Sequence, residues 1–258
     1  MSNKTIQFAN QLAEAEESRI GMSPITSIEP MLSIHEAYDI QLENIERKVA
    51  QGQKIVGKKI GLTSKAMQAL LGVDEPDYGH LLDSMVVENG GAVQMQNVLQ
   101  PKVEAEIAFI LKKDLRGPNV TALDVIRATD YILPAIEIVD SRIKDWKIQL
   151  PDTIADNASS AFYVLGGKPT KIEDVDLELI GMVLMKNGKV VNTGVGAAAL
   201  GNPVHCVAWL ANRLADFDIP LRAGEVILSG ALSAAVDAAE GDSFTARFAH
   251  LGQVSVHF

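Results

Sequence analysis

Val103-Glu104-Ala105-Glu106-Ile107-Ala108-Phe109-Ile110-Leu111 has the β-branched and aliphatic bias of a strand, and two carboxylates interrupt it at a spacing of two. Residues i and i+2 of a strand project from one face, so Glu104 and Glu106 are expected side by side among apolar neighbours. Like charges in such a place are costly unless something positive compensates them. The run Ile132-Leu133-Pro134-Ala135-Ile136-Glu137-Ile138-Val139 repeats the setting with a third carboxylate. Three carboxylates on apolar strands point to a hard divalent cation, because carboxylate oxygens suit Mg²⁺ or Mn²⁺. The same alternation also describes a half-exposed strand with Glu104 and Glu106 in water, and a buried Glu137 can instead pair with a Lys or Arg.

Outward from these strands the chain divides into two parts. Residues 1–72 read as a helical N-terminal portion, with one helix from Thr5 to about Ser18 and a second opened by the capping box Ser33/Glu36. Ile34, Tyr38, Leu42, Ile45 and Val49 fall on one stripe of the second. Lys54 to Gly61 reads as a strand, and Thr63 or Ser64 caps a short helix to Leu71. Residues 73–258 read as a β-rich body. Glu75-Pro76-Asp77-Tyr78-Gly79 has loop composition. Strands are expected at Met85–Val87, Ala92–Met95, Val103–Leu111, Ala135–Val139 and Ala161–Leu165, with a helix capped by Thr121 and Asp124 running to about Tyr131. Asn187-Gly188 suits a type I′ hairpin between Met182–Met185 and Val190–Val191. Asn202 and Pro203 open a helix to about Phe217, and Val226–Leu228, Ser243–Phe248 and Gln253–Phe258 close the chain as strands. Strands outnumber helices without alternating regularly with them, which favours an α+β fold over a doubly wound parallel sheet.

The chain has 258 residues, 47% hydrophobic and 22% charged, with a net charge of −10. That is ordinary globular composition, and the acidity argues against nucleic acid or an anionic membrane as partner. One cysteine, Cys206, excludes an internal disulfide and fits a reducing cytoplasm; on a predicted helix it reads as a core residue. Met1 to Glu16 is too polar for a signal peptide, and no apolar run reaches the roughly 18 residues of a membrane span.

Other motifs are weaker. Lys58 and Lys59 of Val56-Gly57-Lys58-Lys59-Ile60-Gly61 face opposite ways on a strand, so one can point inward, toward a substrate carboxylate or water, while the other is solvated; two surface lysines is the plainer reading. Asp152 to Ser160 is a polar loop able to cap helices or to bond ligand oxygens. Gly194-Val195-Gly196-Ala197-Ala198-Ala199 loosely matches a dinucleotide fingerprint, but no helix opens at its glycines, so a close backbone approach to a ligand or a flexible turn fits better. The five histidines have no metal-ligand spacing.

Gly57-Lys58-Lys59-Ile60-Gly61-Leu62-Thr63-Ser64, Gly72-Val73-Asp74-Glu75-Pro76-Asp77-Tyr78-Gly79 and Gln100-Pro101-Lys102-Val103-Glu104-Ala105-Glu106-Ile107-Ala108 together resemble the hydratase/decarboxylase branch of the fumarylacetoacetate hydrolase superfamily. Asp140-Ser141-Arg142-Ile143-Lys144-Asp145-Trp146, Asp152-Thr153-Ile154-Ala155-Asp156-Asn157-Ala158-Ser159 and the closing Leu251-Gly252-Gln253-Val254-Ser255-Val256 extend the likeness over nearly the whole chain. The resemblance implies a β-rich mixed roll or sandwich with an N-terminal helical portion, and homo-oligomers. It implies Mg²⁺ or Mn²⁺ on Glu104, Glu106 and Glu137, with Lys59, Asp77 and Ser159 in the active site. The activity it implies is hydration of 2-hydroxypenta-2,4-dienoate, or a substituted homologue, to a 4-hydroxy-2-oxo acid in meta-cleavage catabolism of aromatic compounds, with the next pathway enzyme as a possible partner.

Within that branch Asp77 favours hydration, since it supplies an acid/base where 4-oxalocrotonate decarboxylases tend to be apolar. Ser233-Ala234-Ala235-Val236 is more decarboxylase-like. Hydratases of the dicarboxylic heptenedioate share the Pro-Asp-Tyr-Gly loop but tend to carry an insertion after the Asp-Ser-Arg region that this chain lacks. The rival readings are a 4-oxalocrotonate decarboxylase, a hydrolase of acylpyruvates, for which no His–Glu pair is well placed, and a non-catalytic binding subunit.

Overall fold

A computed structural model describes residues 3–65, 68–69 and 72–258. Helix α1 (Asn3–Ser18) buries Phe8, Ala9, Leu12 and Ala15 at helical spacing. After a single turn, α2 (Ile25–Ile28), helix α3 (Ile34–Ala50) starts at the Ser33/Glu36 capping box, which forms as expected. The buried face of α3 is rotated from the expected stripe: Ala37, Tyr38, Ile40, Gln41 and Ile45 are inside, and Val49 is exposed. Gln41 explains the shift. Its amide donates to the carbonyls of Tyr78 at 3.0 Å and Ile154 at 2.7 Å, so a polar side chain faces inward fully bonded.

The body holds two sheets. The larger runs β2 (Asp77–Leu82), β1 (Ile55–Gly61), β9 (Val226–Leu228), β4 (Lys102–Leu111), β5 (Thr129–Val139), β6 (Ser160–Leu165), β3 (Val86–Val87), with β10 (Val236–Asp237) also on β4. Most of its pairings are antiparallel; β1–β9 and β3–β6 are parallel. The smaller sheet is antiparallel, in the order β12 (Gly252–His257), β11 (Ser243–Phe248), β7 (Gly181–Lys186), β8 (Lys189–Val195). Asn187 and Gly188 join β7 to β8 with φ of 53° and 76°, as a type I′ turn needs. The larger apolar core runs from Phe8 of α1 through β4 and β5 to Val254 and Val256 of β12, and a smaller one gathers Ile45, Leu81, Leu82, Leu133 and Tyr163.

Three expectations need correction. Asp77 to Gly79 is not a loop: Asp77–Leu82 is a fully buried strand, because pairing with β1 overrides the weak strand propensity of Asp and Gly. The helix after Thr121, α4 (Ala122–Ala128), ends earlier than Tyr131; the following β-branched and aromatic run pairs with β4 instead. Ala92 makes one isolated bridge and Met95 begins a 3-10 turn, so Ala92–Met95 is not a strand. The helix after Thr63 is described at Lys65, Gln68 and Ala69; the remainder of the run to Leu71 lies outside the described residues.

Candidate active site

Strand register brings the carboxylates together. β4 and β5 pair antiparallel with Glu104 opposite Glu137. Directly opposed residues share a face, and Glu106 shares that of Glu104 by the two-residue repeat. Each of the three offers an oxygen within 4.8 Å of the others. Glu106 and Glu137 are fully buried and Glu104 is half-buried, so the water-facing strand is ruled out. The alternative for Glu137 is met in part, since Lys59 Nζ of β1 stands 3.2 Å from its Oε1. Lys59 also donates to the Ala158 carbonyl at 3.0 Å.

Lys58 is not solvated. It is buried with Glu225, its Nζ 2.7 Å and 2.8 Å from the two carboxylate oxygens.

Asp77 of β2 sits opposite Gly61 of β1. Thr153, on the short helix α5 (Leu150–Ala155), donates to Asp77 Oδ2 at 3.2 Å. A Cβ at Gly61 would lie 2.1 Å from Asp77 Oδ1, so this glycine makes room for the acid.

Ser159 ends a left-handed turn in which Asn157, Ala158 and Ser159 have φ of 54°, 51° and 53°. L-residues there cost about 1–2 kcal/mol each, and such a turn persists only when its surroundings fix it. The Asn157 side chain accepts from His80 N at 2.7 Å and donates to His80 O at 2.9 Å. The buried Arg142 guanidinium pairs with the Asp156 carboxylate and donates to the carbonyls of Asp140 at 2.6 Å and Ser160 at 3.1 Å. So held, the turn presents Ala158 O to Lys59 and Ser159 to a cavity of about 390 Å³, which Lys59, Asp77 and Glu104 also line.

The charges are unbalanced. Burial pushes the Asp77 carboxyl upward against the pull of Lys59. Burial, with help from the charges of Glu137 and Asp77, raises Glu104 to about 7, and Glu106 goes well above its ordinary value. Burial disfavours the Lys59 ammonium, but the surrounding acids outweigh it and its pKa is raised. Among the described residues Glu106 Oε1, both oxygens of Glu137 and Asp77 Oδ1 are buried without a hydrogen-bond partner. Orphaned carboxylate oxygens converging to within ion-sharing distance are the donor set of a hard divalent cation, and the three glutamates fit one.

Thus Glu104, Glu106, Glu137, Lys59, Asp77 and Ser159 gather in one place. Sequence reasoning missed several of their supports. Gly230 N donates to Glu106 Oε2 at 2.7 Å from a backbone with φ of 98°; an isolated glycine was its only local signal. Thr153 and Asn157 lay inside the polar Asp152–Ser160 loop without assigned roles. The fingerprint-like glycines serve packing: a Cβ at Gly194 or Gly196 would meet the carbonyl oxygen of Leu232 at 2.1 Å or of Leu177 at 1.7 Å.

The fumarylacetoacetate hydrolase C-terminal family model matches residues 54–258. The chain is 50% identical over 214 residues to a 2-hydroxypent-2,4-dienoate hydratase of Pseudomonas putida, covering 83% of this chain and 96% of that protein. It is 46% identical over 250 residues to a 2-hydroxyhexa-2,4-dienoate hydratase of Comamonas testosteroni, covering 96% and 95%. Among solved structures, the 4-oxalocrotonate decarboxylase of Pseudomonas putida G7, complexed with magnesium and adipate, superposes with a TM-score of 0.96 at 42% identity, covering 98% of this chain and 97% of that one. With this fold and this carboxylate site, the chain belongs to the fumarylacetoacetate hydrolase family.

Proposed function

We propose that the chain hydrates 2-hydroxypenta-2,4-dienoate, or a substituted homologue, to the 4-hydroxy-2-oxo acid in meta-cleavage catabolism. The observation that carries the reading is the cluster of three carboxylates beside Lys59 and Asp77, in which Glu106 and Glu137 keep buried oxygens without a hydrogen-bond partner among the described residues, in a chain whose relatives are named dienoate hydratases. Glu104, Glu106 and Glu137 hold Mg²⁺ or Mn²⁺, which when bound supplies Lewis-acid polarisation of the substrate's 2-oxo acid end.

The chain's own groups do the rest. Lys59, kept charged by the acids around it, donates to a substrate oxygen. Asp77 has a raised pKa and an orphaned Oδ1, so it can both hold and release a proton inside the cavity. The substrate's 2-hydroxyl loses its proton as C5 gains one, giving the 2-oxo-3-enoate; water then adds its oxygen at C4 and a proton at C3. Asp77 handles the proton of the attacking water, and Ser159 orients water or substrate. Thr153 and Gly61 keep the Asp77 carboxyl in place.

The likeness to the decarboxylase structure favours one rival, loss of CO₂ from 4-oxalocrotonate at the same centre. Purified chain supplied with Mg²⁺ and each substrate, with products read by mass, separates the readings. A gain of one water on the dienoate is expected. Decarboxylation without hydration contradicts the proposal, and turnover of neither substrate turns the chain into a binding subunit of another enzyme.

We also propose a cytoplasmic homo-oligomer that can dock the next pathway enzyme. Exposed Val190, Val191 and Val195 on the edge strand β8 support association, since such an edge is ordinarily covered. Among the described residues no helix is long and apolar enough to cross a membrane.

A further inference from the structure

Ser233-Ala234-Ala235-Val236, the segment that departs from the hydratase pattern, has no part in the carboxylate centre. In the structure Ala234 and Ala235 wall the cavity. They lead into β10, whose pairing with β4 sets Asp237 opposite Lys102. Lys102 precedes Glu104 by two residues, so its side chain shares the face of the carboxylates, one pleat or roughly 7 Å along the strand. It lines the same cavity beside Trp146 and Ile148.

A lysine at that distance from the chelating end is an obvious ion-pair donor for a second carboxylate on a longer substrate. Here the ammonium is occupied. It forms an ion pair with Asp237 and lies 5.3 Å from the centre of the Trp146 ring. Trp146 is fixed in turn, with its Nε1 donating to Gln100 O at 3.0 Å and its backbone left-handed at φ 54°. Apart from Thr153, whose hydroxyl is bonded to Asp77, the remaining wall is apolar, with Leu62, Val139, Ile148, Ala234 and Ala235.

We propose that this end of the cavity receives the terminal substituent of the substrate, and that Asp237, by occupying Lys102, makes the chain select dienoates ending in hydrogen or a short alkyl group over those ending in a carboxylate. The inference rests on the reading of the cavity as a 2-oxo acid site. Asp237 is a positioning residue that acts through Lys102. Its side chain is 82% exposed and that of Lys102 27%, so the pair is screened and the selectivity it confers is moderate.

The test uses the Mg²⁺-loaded protein titrated calorimetrically with 2-oxopentanoate and with 2-oxohexanedioate. The original chain is expected to bind the monoacid more tightly. Asp237→Asn is expected to move the affinity ratio about fivefold toward the diacid. The double variant Lys102→Met/Asp237→Asn should lose that shift, because the freed ammonium is gone. A ratio unchanged in Asp237→Asn, or a shift that survives in the double variant, overturns the subsite while leaving the 2-oxo acid site intact. Failure of the original chain to bind either acid removes the site itself, and the subsite with it.

Discussion

Lys58 and Lys59 are neighbours on β1 and point to opposite sides, into two environments of contrasting balance. On the Lys58 side one ammonium meets one carboxylate, Glu225, which also accepts from Arg222 N at 2.9 Å. His80, opposite Lys58, is buried, bonded to Gln41 at 3.0 Å, and pushed down to about 3 by burial and by the lysine charge, so it stays neutral. On the Lys59 side one ammonium faces Glu104, Glu106, Glu137 and Asp77, and among the described residues several of their oxygens have no hydrogen-bond partner. Both lysines are buried, and a cavity of about 580 Å³ lies on the Lys58 side. Neither burial nor volume therefore marks the functional side. Uncompensated carboxylate does, because a fold keeps such an excess only where a cation or a proton transfer uses it.

Substitutions on the two sides should have unlike effects. Glu106→Gln should lower turnover of the dienoate by about a thousandfold or more, because several kcal/mol of charge stabilisation go with the cation. Steady-state rates with saturating Mg²⁺ check it, and near-normal rates would mean that the carboxylates are structural. On the other side, Lys58→Met leaves the buried Glu225 carboxylate without its counter-charge and should cost about 3 kcal/mol in urea unfolding, with much of the turnover kept in the folded fraction. Loss of turnover without loss of stability would erase the contrast between the two lysines.

Asp77→Asn sharpens the contrast within the acidic side. Turnover should fall about a hundredfold, the usual worth of an acid/base group, while Mg²⁺ affinity measured by calorimetry changes little. Loss of ion binding in that variant would assign Asp77 to the metal instead.

The last effect is on pH. Burial, aided by neighbouring charge, holds Glu104 at about 7 against an ordinary 4.5, and Glu106 above its usual range. Between those values the folded chain keeps protons that the unfolded chain has released, so metal-free stability falls as pH rises from 4.5 to about 7. Mg²⁺ displaces the same protons and should flatten or invert the trend. Melting temperatures across the window, with and without Mg²⁺, test the sign; a metal-free melting temperature that climbs with pH through it would contradict the raised carboxyls.

What could be read from the residues follows the range of the interactions. The alternation of Glu104 and Glu106 is a local fact of strand geometry, and it carried the acidic centre. The same holds for the caps at Ser33 and Thr121 and the turn at Asn187-Gly188. Asp77 was legible only through its resemblance, because a strand containing Asp and Gly is specified by its partner β1 and not by its own propensity. The left-handed turn at Asn157 to Ser159 has a single tolerant residue, Asn157, to announce it; the groups that hold it come from other elements, His80 on Asn157, Lys59 on Ala158 O and Arg142 on the flanking Asp156 and Ser160. The burial of Lys58 depended on Glu225, far along the chain. Periodicity shows which face a side chain takes, and only tertiary pairing shows what meets it there.

The chemistry proposed for the cavity requires one divalent ion shared by Glu104, Glu106 and Glu137. Electron paramagnetic resonance of Mn²⁺ titrated into the purified chain, and into Glu104→Gln, Glu106→Gln and Glu137→Gln, tests it most directly. One tightly bound ion per chain is expected in the original protein, with a large loss of binding in each variant. Tight binding that persists in all three variants would contradict it.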